Sequence, residues 1–325
     1  MPYSAAILQK AQARLAQARE QCEQDDRVRI GAIYERLPRL RQIDLALQKT
    51  AAKVCAAAFR AGTDPARTVQ QLKEENLALQ QERDWILQAE GLEPDDLTVQ
   101  PLCPNCGGTG YVGAAMCECL KELCRQEQKK ELSQLLGTGK ESFDRFRLDY
   151  YPAEFDPNLG ASPREVMKRV YERAVRYAQT FTPGAKSLLF MGATGLGKTF
   201  LSACIAKTVA DRGYSVCYVS AEAMFSDFEQ QKFRPREGED CTRKYLGCDL
   251  LILDDLGTEM TTQFTIAALY QVVNSRLMEG RATIVSTNLP VADLDRRYSA
   301  QIASRLLGAY TLYKFSGRDI RMQQQ

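Results

Sequence analysis

The sequence predicts an α/β protein. A parallel sheet flanked by helices occupies the second half of the chain, preceded by a helical region with a cysteine cluster. Three observations predict it. From Pro163 onward, helical stretches alternate with five short runs rich in Val, Ile, Leu and Tyr. Apolar runs bounded by helices mark parallel strands buried on both faces. Before residue 100, apolar residues recur at three- and four-residue spacing across Gln-, Glu-, Lys- and Arg-rich stretches, which is helical periodicity. Between these regions, CPNCGGTGYVGAAMCEC places four cysteines within 103–119. A chain of 325 residues has room for two domains. The reading divides it into a helical N-terminal domain at 1–136, a linker at 137–162 and an α/β domain at 163–325.

Along the chain, Leu8, Ala11, Leu15, Ala18 and Cys22 trace a first helix, and Pro38 interrupts a second helical stretch from about Val28 to Phe59. AGTDP at 61–65 is a break. Val69, Leu72, Leu79 and Ile86 resume the spacing over 66–90, with Asn76 and Arg83 in the same seam. A coiled coil or helical hairpin and a simple amphipathic helix both fit that segment. A loop with two prolines follows at 91–102, then helix at 120–136 and a linker rich in aromatics, Pro and Gly. The expected strands are SLLFMG (187–192), VCYVSA (216–221), LLILDD (250–255), ATIVST (282–287) and TLYKFSG (311–317).

Composition excludes several classes. The chain contains no histidine, which removes histidine catalysis and histidine metal ligation. Its net charge is +2, so nucleic-acid binding would have to come from local basic patches. No apolar run approaches the ~20 residues of a membrane span. The N-terminus has no secretory leader pattern. The expected location is cytoplasmic, where thiols stay reduced. Of the eleven cysteines, Cys22, Cys55, Cys124, Cys204, Cys217, Cys241 and Cys248 are scattered and read as small buried residues.

GATGLGKT at 192–199 matches GxxxxGK[ST], with a strand before it and a helix after it. Gly192, Gly195 and Gly197 let backbone amides turn inward around phosphates, and the helix N-terminus adds its own amides and dipole. Lys198 reaches the outer phosphates, and the Thr199 hydroxyl coordinates magnesium. The expected ATP-binding set is Gly192, Ala193, Thr194, Gly195, Leu196, Gly197, Lys198, Thr199, Phe200 and Asp254. In CDLLILDDLGTE, four apolar residues run into Asp254 and Asp255 at a strand's C-terminal end, the edge where open parallel sheets bind ligands. Asp254 is placed to hold Mg2+, and Asp255 to orient or deprotonate the attacking water. Asn288, after ATIVST, is the candidate contact to the γ-phosphate and the water, with Thr287 as the lesser choice.

Cys103, Cys106, Cys117 and Cys119, at CxxC and CxC spacing beside Gly107, Gly108 and Gly110, can close a tetrahedron around Zn2+. Cys124 is an open alternative to Cys119. No thioredoxin-like βαβ context supports a redox motif. So short a knuckle cannot bury enough surface to fold alone, and metal removal should unfold it.

In this order, the phosphate loop, LLILDDLG, STN, SRLLG and GRDIR resemble the AAA+ ATPases of the bacterial DnaC/DnaI helicase-loader group, with the IstB transposition helpers close by. The resemblance covers roughly 142–321, and the N-terminal helices, cysteine knuckle and ESFDRF linker are similar to DnaI-type loaders. It implies an AAA+ P-loop fold, with a parallel five-stranded sheet flanked by helices and preceded by a helical domain with a small zinc knuckle. It implies that Arg305 is the finger acting on a neighbouring subunit's ATP and that Arg321, not Arg318, is the second sensor acting in cis. Phe143 would lie near the adenine. The segment 221–237 would face single-stranded DNA. Lys232, Arg234, Arg236, Arg243 and Lys244 give that region a basic character, and Phe225, Phe228 and Phe233 would stack bases or pack in the core. No separate helical lid is expected after Arg321. The implied function is ATP-dependent loading of a DnaB-type replicative helicase onto single-stranded DNA by a self-associating AAA+ oligomer. The alternatives are an IstB-like transposition helper and a phage or mobile-element inhibitor of the helicase.

Overall fold

The structure is a computed structural model that describes residues 3–58, 65–135, 141–233, 240 and 242–323. Arg234, Arg236 and Cys241 lie outside the described residues, as do the side chains of Cys55 and Val69. The chain forms two compact units, Met1–Ala13 with Leu120–Gln325, and Arg14–Cys119.

Helices dominate the smaller unit. α1 (Ala5–Arg36), α2 (Pro38–Ala58) and α3 (Pro65–Glu90) follow one another. Pro38 does not break a helix interior. It is the first residue of α2, where its missing N–H removes no helical hydrogen bond. α2 and α3 pair as an antiparallel hairpin, and the polar residues of the α3 seam are matched across it. Arg83 donates to Asp44 Oδ1 at 2.7 Å, Tyr34 donates to Asp44 Oδ2 at 2.8 Å, and Arg39 pairs with Glu82. The cysteine segment folds into a small hairpin of β1 (Tyr111–Val112) and β2 (Ala115–Met116), turned at Gly113 with φ +59°. α4 (Glu118–Leu135) follows.

The larger unit is built on five parallel strands: β3 (Leu188–Met191), β4 (Val216–Ser220), β5 (Leu250–Leu256), β6 (Ala282–Thr287) and β7 (Thr311–Lys314). Each expected run lies on one of them. Their order across the sheet is β4-β5-β6-β3-β7, with every neighbouring pair parallel. β6 therefore sits between the strand that feeds the phosphate loop and the strand that carries the acidic pair. α5 (Pro163–Thr180) and α6 (Lys198–Asp211) cover one face. α7 (Ala221–Phe233), α8 (Arg243–Gly247), α9 (Gln263–Met278), α10 (Val291–Tyr298) and α11 (Ala300–Ala309) cover the other. α5 starts sharply because Ser162 and Glu165 form a capping box and Pro163 takes the first helical position.

The domain edges read from the sequence, at 136 and 162, are a proposal about organisation; the packing itself groups α4 from Leu120 with the sheet. The Gln128 carboxamide, 2% exposed, donates to Tyr214 O at 2.9 Å and accepts from Val216 N at 3.1 Å. It thus pairs the open edge of β4 as a neighbouring strand would.

Candidate functional site

The phosphate loop links β3 to α6. A Cβ on Gly192, whose φ is +156°, would lie 2.6 Å from Phe315 O, and one on Gly195, φ +74°, would lie 1.8 Å from Asp319 Oδ1. Gly192 is required by the C-terminal segment that closes over the loop, and Gly195 lies beneath the same segment, where Ile320 N–H donates to Gly195 O at 3.0 Å. From the other side, Tyr151 donates to Leu196 O at 2.9 Å. The buried Lys198 ammonium donates to Gly192 O at 2.7 Å and Ala193 O at 2.8 Å. Burial pushes its pKa down, against the pull of Asp255 and Asp254.

A β-bulge sets the acidic pair. Between Leu253↔Val285 and Leu256↔Thr287, β5 spends two residues against one on β6. Leu251, Leu253 and Leu256 all pack with the α9 layer, while Leu250 and Ile252 pack toward α6. Without the extra residue, Asp255 would face the α9 core and Leu256 the site. The bulge keeps Asp255 out of that core, as bulges beside functional sites commonly re-aim a side chain. It also puts Asp255 at φ +54°, a left-handed conformation that Asp tolerates better than most residues. Asp254 is buried. Its Oδ2 accepts from Tyr218 at 2.7 Å and its Oδ1 from the Ser286 hydroxyl, which in turn accepts the Asp255 N–H at 2.9 Å. Burial and Asp254 push the Tyr218 phenol up, so its hydroxyl stays a donor. Burial, then Asp254, also raises the Asp255 pKa.

Thr194 through Phe200, Tyr218, Asp254, Asp255 and Arg321 line one cavity of about 560 Å³, within the usual range of small-molecule sites. Its aromatic wall contains Phe146, stacked on Tyr171 at 5.2 Å and on Tyr151 at 5.9 Å, together with Phe200 and Tyr150. Phe143, expected beside the base, instead meets Tyr171 edge-on at 6.0 Å and is absent from the lining. Both rings pack on Tyr171, and of the two it is Phe146 that reaches the lining. Gly192, Ala193, Asn288 and Arg305 are also outside the lining. Asn288 Oδ1 is buried with no hydrogen-bond partner. Thr287 is committed to the fold, donating to Leu256 O at 2.6 Å. Arg305 lies on α11, its guanidinium 4.6 Å over the Tyr270 ring and donating to Asn274 Oδ1 at 2.9 Å. Sequence reasoning missed Tyr218, Ser286 and Phe146. The first two sit on strands beside β5, and only strand pairing could have pointed to them.

In the 221–237 region, Phe225 and Phe228 are core residues, whereas Phe233 is 69% exposed with the Lys232 ammonium 5.5 Å from its ring centroid. Lys244 and Arg243 pair with Asp227 and Asp240, which blunts the expected basic character.

The Sγ atoms of Cys103, Cys106, Cys117 and Cys119 lie within 4.8 Å of one another; Cys103–Cys117 is 3.8 Å and Cys106–Cys119 is 3.4 Å. Tetrahedral zinc with thiolates at about 2.3 Å needs sulfurs about 3.8 Å apart, so the donor set fits. Gly110 N–H donates to Cys106 Sγ at 3.3 Å. Cys124 is not in the group, and burial raises its thiol pKa to about 11.

Among the described residues, no helix is long and apolar enough to cross a membrane. Residues 163–311 match the family model described as IstB-like ATP binding protein. A chromosomal replication initiator protein DnaA from Helicobacter acinonychis is 36% identical over 86 residues, which are 26% of this chain and 19% of that protein. The replicative helicase loader DnaC of Buchnera aphidicola subsp. Schizaphis graminum is 21% identical over 191 residues, 57% of this chain and 74% of the loader. A crystal structure of the DnaC helicase loader aligns with a TM-score of 0.45 at 20% identity, over 54% of this chain and 98% of that one. The chain thus spans about a fifth of the initiator's length. Residues 163–311, a little under half of the chain, are thus similar to the IstB-like ATP-binding proteins.

Proposed function

We propose that this chain is an ATP-dependent loader that places a DnaB-type replicative helicase on single-stranded DNA. One observation carries the reading. In a chain whose residues 163–311 are similar to the IstB-like ATP-binding proteins, Asp254 and Asp255 line the same cavity as Lys198 and Thr199. In this reading the loop from Gly192 to Thr199 cradles the phosphates, Phe200 borders the site, and Phe146 takes the place beside the base that Phe143 was expected to fill. Thr199 and Asp254 hold magnesium; each Asp254 oxygen accepts one hydroxyl and keeps lone pairs for the ion. Magnesium neutralises charge on the outer phosphates when bound. Asp255 orients the attacking water. The unpartnered Asn288 Oδ1 suits a hydrogen bond accepted from the attacking water. Arg321 acts in cis from the cavity wall.

Arg305 lies outside its own cavity, which is the arrangement needed if it serves a neighbour's ATP in a self-associated oligomer. An arginine supplied that way raises phosphoryl-transfer rates by about 10³–10⁵-fold. The Cys103, Cys106, Cys117 and Cys119 knuckle holds zinc as a structural element. The helical unit and knuckle grip the helicase, and the 221–237 region contacts the strand.

The test is helicase loading on a protein-coated single strand, read as strand displacement, with wild type and Lys198→Ala. ATP-dependent stimulation that is lost in Lys198→Ala, together with lost ATP affinity, is expected. Full ATP affinity in Lys198→Ala sinks the phosphate-loop assignment. Helicase removed from DNA in every nucleotide state identifies an inhibitor instead. Recovery of a transposase and no helicase from cells identifies a transposition helper.

A further inference from the structure

Tyr218 and Gln128 are outside every motif of the nucleotide site, yet Tyr218 bonds Asp254 directly and Gln128 makes two hydrogen bonds to the strand edge that carries Tyr218. β4 is the edge strand, and its backbone alternates in direction. Ser215 O faces β5, accepting Leu250 N–H at 3.0 Å. Tyr214 O and Val216 N–H face outward, and both are taken by the single carboxamide of Gln128 at 2.9 and 3.1 Å. Those two groups lie under α4, where Gln128 is 2% exposed, so water does not readily replace the side chain. Two residues along β4, on the same face as Val216, Tyr218 donates to Asp254 Oδ2 at 2.7 Å. Further ties fix α4 at this edge: Lys129 pairs with Asp211 at 2.8 Å, and Leu132 belongs to the core under the sheet.

We infer that Tyr218 is a positioning residue for the magnesium-binding carboxylate Asp254, and that Gln128, by fixing the edge of β4, holds Tyr218 at the distance this requires. The inference rests on the reading of Asp254 as the magnesium ligand. The physical reason is geometric. A carboxylate with a free rotor spreads its lone pairs over many directions. One oxygen pinned by Tyr218 and the other by Ser286 leaves the rest aimed at one place. Partners that orient a metal ligand in this way typically change affinity about 10- to 100-fold when removed.

The experiment is calorimetric titration of MgCl2 into protein saturated with a non-hydrolysable ATP analogue, beside the magnesium dependence of hydrolysis. Tyr218→Phe keeps the ring and removes the hydroxyl. It should weaken magnesium binding by about 10- to 100-fold, while analogue affinity measured in chelator is unchanged. Gln128→Met, similar in length and unable to pair the strand edge, should weaken magnesium in the same direction by less. The double variant should be no worse than Tyr218→Phe alone, because both act through one hydroxyl. If Gln128→Met does not fold, Gln128→Glu keeps the acceptor for Val216 N–H, loses the donor to Tyr214 O, and serves in its place. Wild-type magnesium affinity in Tyr218→Phe overturns the inference, as do strictly additive losses. Asp254→Asn separates the two readings. If it abolishes magnesium binding while Tyr218→Phe does nothing, only the positioning role falls. If it too binds magnesium normally, the site assignment falls with it.

Discussion

Gly192→Ala is the sharpest test of how the phosphate loop is held. Two costs arise at Gly192. An alanine at φ +156° sits in a region that non-glycine residues avoid, a penalty of about 1–3 kcal/mol. The new methyl would also lie 2.6 Å from Phe315 O and 2.8 Å from Phe315 Cβ. The oxygen is backbone, fixed by the Phe315 N–H donated to Met191 O at 2.7 Å, so relief requires β7 to move from β3. Such overpacking costs about 1–3 kcal/mol. The sum is about 2–6 kcal/mol. Gly195→Ala is the internal control. Its methyl meets only the Asp319 carboxylate, at 1.8 Å, which can rotate away. What remains is a left-handed penalty of about 1–2 kcal/mol and the lost Asp319–Arg321 N–H bond, about 1 kcal/mol. Urea unfolding should therefore rank Gly192→Ala as the less stable of the two. ATP-analogue binding should fall in both, in Gly195→Ala through displacement of Arg321. A Gly192→Ala variant more stable than Gly195→Ala, or within about 0.5 kcal/mol of wild type, would refute the closure of this loop by the C-terminal segment.

Arg305→Ala should keep ATP affinity and lose stimulated hydrolysis, and mixing it with Asp255→Asn subunits should restore activity; mixing that never restores it rules out a shared site. Chelation of a zinc-loaded protein should collapse the 103–119 knuckle, read as loss of amide protection there, while protection in β3, β5 and β6 persists. Loss of both together would show that the knuckle and the sheet unfold as one. Because burial and Asp254 raise the Asp255 pKa, the carboxyl keeps its proton to higher pH than an ordinary aspartate. Hydrolysis should begin to fall with acid above the usual carboxylate range, and Asp255→Glu, which keeps a carboxyl, should move that limb. In stability the sign is opposite to that of a salt-bridged acid: the contribution is present below the unfolded-state pKa and lost as pH rises through the raised folded value. A pH–rate limb unchanged in Asp255→Glu would assign the proton elsewhere.

The strands, the phosphate loop, the acidic pair and the cysteine cluster were legible because each is a local pattern. A run such as LLILDD states its own burial, and GATGLGKT states its own turn. Phe143 and Phe146 show where that stops. Both lie in one aromatic stretch and both pack on Tyr171, yet of the two it is Phe146 that lines the cavity. Phe233 is similar: its spacing from Phe225 and Phe228 does not reveal that α7 buries two of the three. At Pro38 the expected interruption is present: α1 ends at Arg36 and α2 starts at Pro38, which suits the first position of a helix.

By itself, then, the sequence determined the chemistry available: a phosphate loop, two adjacent carboxylates, a set of arginines, four clustered thiols and no imidazole. The tertiary structure decided which of these groups meet. The order β4-β5-β6-β3-β7 brings Tyr218 and Ser286, from strands far apart in the chain, to the two oxygens of Asp254. The bulge in β5 turns Asp255 out of the α9 core. α4 supplies, through Gln128, the pairing that the edge of β4 lacks. Register and strand order arise from side chains packing across long separations, and no local window of sequence contains them.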